Sequence, residues 1–185
     1  DAWLHEPGLP ANAPVFRSSR LDGLVALAQS FAAGERPAAS AISGWSPAET
    51  LVYLQGLPRE IDRGGCAWLD SALGLTGRGN HEILVEWLTL GAGSDYEPAF
   101  ARLREVLLRV GRMKYLRPLY AAMGRHPRTR ALGREVFAEA APRYHALSRR
   151  VAASVIEKYD ADPASRPRGP HDRSTLSRSR GGHPS

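Results

Sequence analysis

From Leu21 onward, apolar residues recur every three or four positions, the spacing that turns one face of an α-helix toward a core. Leu21, Leu24, Val25 and Leu27 form the first stripe, closed by Gly34 at a C-cap position. Residues 35–45 read as a loop. Ser46-Pro47-Ala48-Glu49 then marks a helix start. The serine can cap, the proline suits the first helical position, and the glutamate can reach back to the cap. This helix is predicted to run to about Gln55, before Gly56 and Pro58. A third helix is predicted over about 59–73, with Ile61, Ala67, Trp68 and Leu73 facing inward. Asn80 can cap a fourth that carries Ile83, Leu84, Trp87, Leu88 and Leu90. Ser94-Asp95-Tyr96-Glu97 repeats the capping-box form and is expected to open a fifth, in which Phe100, Leu103, Val106, Leu107 and Val110 keep the helical period until Gly111. Two further helices are expected at about 118–124 and 129–141. A last one, about 143–158, holds Leu147, Val151, Val155 and Ile156.

No segment alternates apolar and polar residues in the period of two that a strand needs, so the expected fold class is all-α. Short helices joined by Gly/Pro loops pack as antiparallel neighbours. There are too many for a compact four-helix bundle, which favours a right-handed α-α superhelix, an ARM-like stack of short antiparallel helices. No exact period marks a repeat family.

The two flanks differ from this pattern. Residues 1–17 carry Pro7, Pro10 and Pro14, which forbid regular helix, yet Trp3, Leu4, Leu9, Val15 and Phe16 are too apolar for a free linker. They read as an extended segment laid over a core. Residues 159–185 are rich in arginine, serine, proline and glycine, and beyond Tyr159 only Leu176 is large and apolar. Such a tail is expected to be disordered, because it buries too little surface to offset its ordering entropy. The helical domain is therefore expected over 18–158.

Composition narrows the class further. The chain is 43% hydrophobic and 24% charged, ordinary for a globular protein. The single Cys66 excludes a disulfide within the chain. No apolar run approaches the roughly 20 residues that span a bilayer, and no basic-then-apolar leader opens the sequence. A cytoplasmic setting is the expectation. The Asp-Ala-Trp start suggests a fragment of something longer, and the arginine- and alanine-rich composition suggests a bacterial source.

The net charge of +6 is unevenly placed. Residues 102–150 hold 13 Lys and Arg against 3 acids, whereas residues 1–100 hold 6 against 12. A basic stretch of that kind attracts anions: nucleic acid, an acidic surface or a carboxylate ligand. Arginines spread over solvated helix faces are the plainer explanation for most of them.

Catalytic signatures are absent from the sequence. His81-Glu82 begins like the zinc-binding H-E-x-x-H helix, but Val85 stands where the second histidine must be. No nucleophile elbow, P-loop or dinucleotide-binding turn is present. The most distinctive stretch is Gly111-Arg112-Met113-Lys114-Tyr115-Leu116-Arg117-Pro118-Leu119-Tyr120. Gly111 ends one helix, and Pro118 fits the first turn of the next, so three cations crowd a junction. If the backbone there is extended, Arg112 and Lys114 share a face and can converge on one anion, the arginine as a fork and the lysine as a point charge.

That stretch resembles the hallmark of the C-terminal domain of the leukotriene A4 hydrolase and aminopeptidase B family. The opening Asp1-Ala-Trp-Leu-His-Glu-Pro-Gly-Leu-Pro10 resembles the segment by which those enzymes enter the domain, and Asn80-His-Glu-Ile83 with Glu86-Trp-Leu88 resembles a family helix. Tyr144-His145 is similar to a later family step, although Ala146 stands where a proline is usual. The resemblance implies a multidomain zinc metalloaminopeptidase whose zinc ligands lie in a preceding catalytic domain. It implies that residues 1–17 lead in from that domain, and that Arg112 and Lys114 bind the terminal carboxylate of a peptide substrate. In this chain itself no catalytic residue, metal ligand or cofactor is expected. Hydrolysis of leukotriene A4 is a narrower trait that no residue here argues for. Two readings compete: a stand-alone basic nucleic-acid binder, against which no recognised nucleic-acid motif is present, and a helical protein-interaction scaffold.

Overall fold

The computed structural model describes residues 19–159, and within them every regular element is helical. The chain forms α1 (Ser19–Ala32), α2 (Ala39–Ile42), α3 (Pro47–Gly56), α4 (Arg63–Leu73) and α5 (His81–Gly93). After a 3-10 turn at Glu97–Ala99 come α6 (Phe100–Arg109), α7 (Met113–Met123) and α8 (Pro127–Ala140). A second 3-10 turn, Ala141–Arg143, precedes α9 (Ala146–Glu157). The extended segment expected at 1–17 lies outside the described residues. So does the tail expected from 159 onward, apart from Tyr159.

Helices α1, α3, α5, α7 and α9 pack side by side as one layer, while α6 and α8 pack on each other in a second. Ion pairs and close approaches fix their directions. Arg20 near the start of α1 pairs with Glu49 at the start of α3, and Gly56 at the end of α3 lies against Ala28. Glu82 in the first turn of α5 meets Lys114 in the first turn of α7, and His126 just past α7 meets the Gly93 carbonyl at the end of α5. Arg128 at the start of α8 reaches Asp95 and Glu97 ahead of α6, and Arg104 within α6 pairs with Glu135 and Glu139 further along α8. Alternate helices thus run parallel and consecutive ones antiparallel, which is the geometry of stacked helical hairpins. The all-α stack expected from the pattern is the observed fold.

The core follows the apolar stripes in the centre of the chain and departs from them at the edges. Trp87, Tyr53, Leu69, Leu84, Leu88 and Leu107 are fully buried. In α1, however, the buried face is Leu24, Ala28 and Phe31, whereas Leu21 and Val25 are exposed. The stripe therefore lies one helical step away from the expected one, because Ala28 and Phe31 complete it. In α4 the inward residues are Cys66, Leu69 and Leu73. Ala67 is exposed and Trp68 half-buried, since Asp62 rather than Arg59 starts the helix by accepting from the Gly65 amide at 2.8 Å. In α9, Leu147 is exposed and Ala152 takes the buried position.

Two helix starts also differ. The capping box at Ser46 is present, with Ser46 and Glu49 each accepting the other's backbone amide. The matching form at Ser94 is not one. Ser94 ends α5, its hydroxyl accepts from the Ile61 amide at 3.0 Å, and α6 begins only after the 3-10 turn. Asp95, at φ 51, turns the chain between them. Within the predicted 35–45 loop, residues Ala39–Ile42 make a single helical turn that buries Ile42.

Candidate functional site

The junction between α6 and α7 is where the sequence and the structure differ most usefully. Pro118 was expected in the first turn of a helix over 118–124, yet α7 begins five residues earlier and holds Pro118 inside it. The Arg112 carbonyl accepts from the amides of Tyr115 at 2.9 Å and Leu116 at 3.1 Å, which starts the helix. Proline has no amide hydrogen, so it removes only the bond that the Lys114 carbonyl would accept. Burial of Tyr115, Leu116, Leu119, Tyr120, Ala122 and Met123 along the same helix outweighs that loss.

The condition set for Arg112 and Lys114, a shared face on extended backbone, is therefore not met. Only Arg112, the residue preceding the helix, is extended, at φ −76 and ψ 122. Lys114 belongs to the first turn. The two side chains converge by another route, through the ring of Tyr115. The Arg112 guanidinium carbon lies 5.6 Å from the ring centroid and the Lys114 ammonium 5.5 Å from it. Both are cation–π distances.

Glu82, on the neighbouring α5, completes the cluster. Lys114 Nζ and the Tyr115 hydroxyl each donate to Glu82 Oε1 at 2.7 Å. Asn80 caps α5, accepting from the Glu82 amide at 3.0 Å, and so sets Glu82 at the edge where α7 also starts. The Lys114 ammonium, with help from the Tyr115 hydroxyl, holds the Glu82 carboxyl below its ordinary range. The same bond to Glu82 pushes the Tyr115 hydroxyl up. Arg112 is exposed and forms no ion pair among the described residues.

Arg112 and Lys114 at the beginning of α7 run against the helix dipole, whose amino end is positive and favours acids. Their placement lowers the stability of α7 on its own, and Glu82 offsets it by pairing with Lys114 and, more weakly and through space, by attracting Arg112. The arrangement is therefore a cationic edge with two donors already aimed at one carboxylate oxygen and a guanidinium left over.

Elsewhere in the second half, five arginines are matched by acids. Arg102 and Arg109 pair with Glu105, Arg104 with Glu135 and Glu139, Arg125 with Glu60, and Arg128 with Asp95 and Glu97. Among the described residues, no group of three His, Cys, Asp or Glu side chains is placed to hold a metal. Cys66 is buried, and burial pushes its thiol up to about 11, away from reactivity. Glu82 was missed by sequence reasoning as a partner of Lys114. The 32 residues between them carry no local signal, and only the parallel pairing of α5 and α7 brings them together.

The helices form a stack of hairpins with a cationic edge at the start of α7, the architecture of an all-α domain. Its kinship is specific. Residues 45–156 match the family described as leukotriene A4 hydrolase, C-terminal. Leucine aminopeptidase 2 of Sclerotinia sclerotiorum is 29% identical over 153 residues, which cover 80% of this chain and 25% of that protein. A leukotriene A-4 hydrolase homolog of Botryotinia fuckeliana is 30% identical over 124 residues, covering 65% of this chain and 19% of the relative. Among solved structures, yeast LTA4 hydrolase in complex with bestatin matches with a TM-score of 0.65 at 17% identity, covering 84% of this chain and 29% of that one. The chain belongs to the leukotriene A4 hydrolase C-terminal family, and it spans about a quarter of the length of the curated relatives it matches.

Proposed function

We propose that this chain is the C-terminal helical domain of a zinc-dependent aminopeptidase of the leukotriene A4 hydrolase type. In this reading it helps to form the substrate cleft, and Arg112 and Lys114 bind the C-terminal carboxylate of a short peptide. The observation that carries it is the exposed Arg112 guanidinium, which forms no ion pair among the described residues and feels Glu82 only through space, beside a lysine and a tyrosine whose donors already meet on a carboxylate oxygen. Glu82 occupies the position that an incoming carboxylate needs on the Lys114 side, so Arg112 makes the first contact and Lys114 turns between the two acids.

Zinc does not fit the residues described here. It is assigned to a preceding catalytic domain of the same polypeptide, the second partner of this chain, and no residue of this domain acts on it. What the chain contributes is position. A peptide held by its far end has its scissile bond at a fixed distance from the catalytic groups, which converts loose encounter into a near-attack arrangement. No helix among the described residues is long and apolar enough to cross a membrane, and the parent enzyme is assigned to the cytoplasm. Of the rival readings, nucleic-acid binding is disfavoured by the ion pairs that take up Arg102, Arg104, Arg109, Arg125 and Arg128.

The test is kinetic. In the complete enzyme, Arg112→Ala is expected to lower kcat/KM for di- and tripeptides about 10- to 100-fold, the scale of lost hydrogen bonds to a charged group. Turnover unchanged by that substitution refutes the assignment.

A further inference from the structure

Beside the carboxylate edge lies a groove of about 620 Å³ between α7 and α9 that the reading above leaves unused. Met113, Pro118, Val151 and Val155 contribute apolar lining, and four cations stand around them: Lys114, Arg117, Arg150 and Lys158. No acidic side chain lines it. On α7, Lys114 and Arg117 are three residues apart, and Arg150 and Ser154 on α9 with Lys158 at its C-cap follow at intervals of four, so each set lies on one helix face. Among the described residues, Arg117, Arg150 and Lys158 form no ion pair. This contrasts with Arg102, Arg104, Arg109, Arg125 and Arg128, each of which is matched by an acid. Lys114 belongs both to the groove and to the carboxylate edge.

Arg117, Arg150 and Lys158, gathered without paired acids around apolar surface, repel one another, so the site is stabilised by an anion that brings apolar carbon with it. An acidic amino-acid side chain is such a group: a carboxylate on a short methylene stem. A phosphodiester chain fits less well, because it offers charge with little to cover the valines. We propose that this groove is a specificity subsite for an acidic residue at or next to the C-terminus of the peptide, so that substrates ending in glutamate or aspartate are preferred over their amide counterparts. The proposal rests on the terminal-carboxylate reading, since Lys114 links the two sites, but it is tested separately from it.

The experiment is a calorimetric titration of the complete enzyme, stripped of its metal so that the peptides are not cleaved, with three peptides: Ala-Ala-Ala-Glu-Glu, Ala-Ala-Ala-Gln-Gln, and the acidic peptide with an amidated C-terminus. The acidic peptide is expected to bind about 3- to 10-fold more tightly than the glutamine copy, the scale of two exposed charge pairs. In the double variant Arg150→Ala/Lys158→Ala that preference disappears, while the glutamine copy binds as before. Both residues are exposed, and an unchanged helical circular-dichroism spectrum shows that the variant is folded. Equal binding of the acidic and glutamine copies, no binding of either, or a preference that survives the double variant overturns the groove proposal. The amidated peptide reports on the other reading. If amidation costs nothing while the side-chain preference persists, the carboxylate assignment to Arg112 fails and the groove stands. A random DNA duplex that binds more tightly than the acidic peptide, and loses that binding in the double variant, overturns the peptide subsite in favour of nucleic acid.

Discussion

At the scale of single residues, close approach and burial give the sharpest expectations. A Cβ at Gly93 would lie 2.5 Å from the Arg59 carbonyl oxygen, a backbone atom that cannot step aside. Gly93→Ala is therefore expected to cost about 1–3 kcal/mol, the range for forced overpacking, measurable as a lower urea midpoint with an unchanged slope. A wild-type midpoint would mean that α5 does not end where the structure has it. The six tyrosines give a second expectation, for all of them are raised above the ordinary value of about 10. Burial is the main cause at five. At Tyr115 it is the bond to Glu82. Tyr120, Tyr144 and Tyr159 are linked, with the Tyr144 hydroxyl donating to the Leu107 carbonyl at 2.6 Å and the Tyr159 hydroxyl donating to the Tyr120 carbonyl. Above pH 10 the folded chain keeps protons that the unfolded chain has released. The contribution to stability is therefore complete below that pH and falls as pH rises toward the folded values. Ultraviolet titration should show no phenol ionising at the ordinary value before the chain unfolds. A normal tyrosine in the native baseline would contradict the packing.

At the scale of elements, caps decide what the sequence reveals. Ser46→Ala removes a cap whose partner Glu49 is also held down to about 2, chiefly by Arg20 and then by Ser46. It is expected to cost about 1 kcal/mol, read as a lower thermal midpoint. A midpoint equal to that of the parent would remove the capping box from the account. That start was legible because Ser46, Pro47 and Glu49 are neighbours in the chain. The form at Ser94 misled for a tertiary reason: its hydroxyl is taken by the Ile61 amide, 33 residues away. Pro118 misled for another. It is usually a boundary signal, but here the buried side chains of α7 outweigh one missing backbone bond. In α1 and α4 the apolar count was sufficient to show helices but did not give their rotation, because small residues such as Ala28 and Cys66 fill the buried face as well as large ones do.

At the scale of the whole molecule, the stack turns distant stretches into one surface. Alternate helices run parallel, so Asn80, Glu82, Arg112 and Lys114 share an edge although about 30 residues separate the two pairs. Arg112 and Lys114 were legible in the sequence as a motif, and Glu82 was visible in the failed zinc helix and in the Asn80–Ile83 resemblance, in neither case as a partner of Lys114. What the motif did not contain was the acid opposite Lys114, which makes Arg112 the open member of the pair. The most direct measurement of the central claim compares kcat/KM for one tripeptide and for its C-terminal amide, in the complete enzyme and in its Arg112→Ala variant. The account predicts that amidation slows the unaltered enzyme about 10-fold or more, the scale of one charged hydrogen bond, and has little further effect once Arg112 is gone. Equal losses on amidation in both enzymes would show that the carboxylate binds elsewhere.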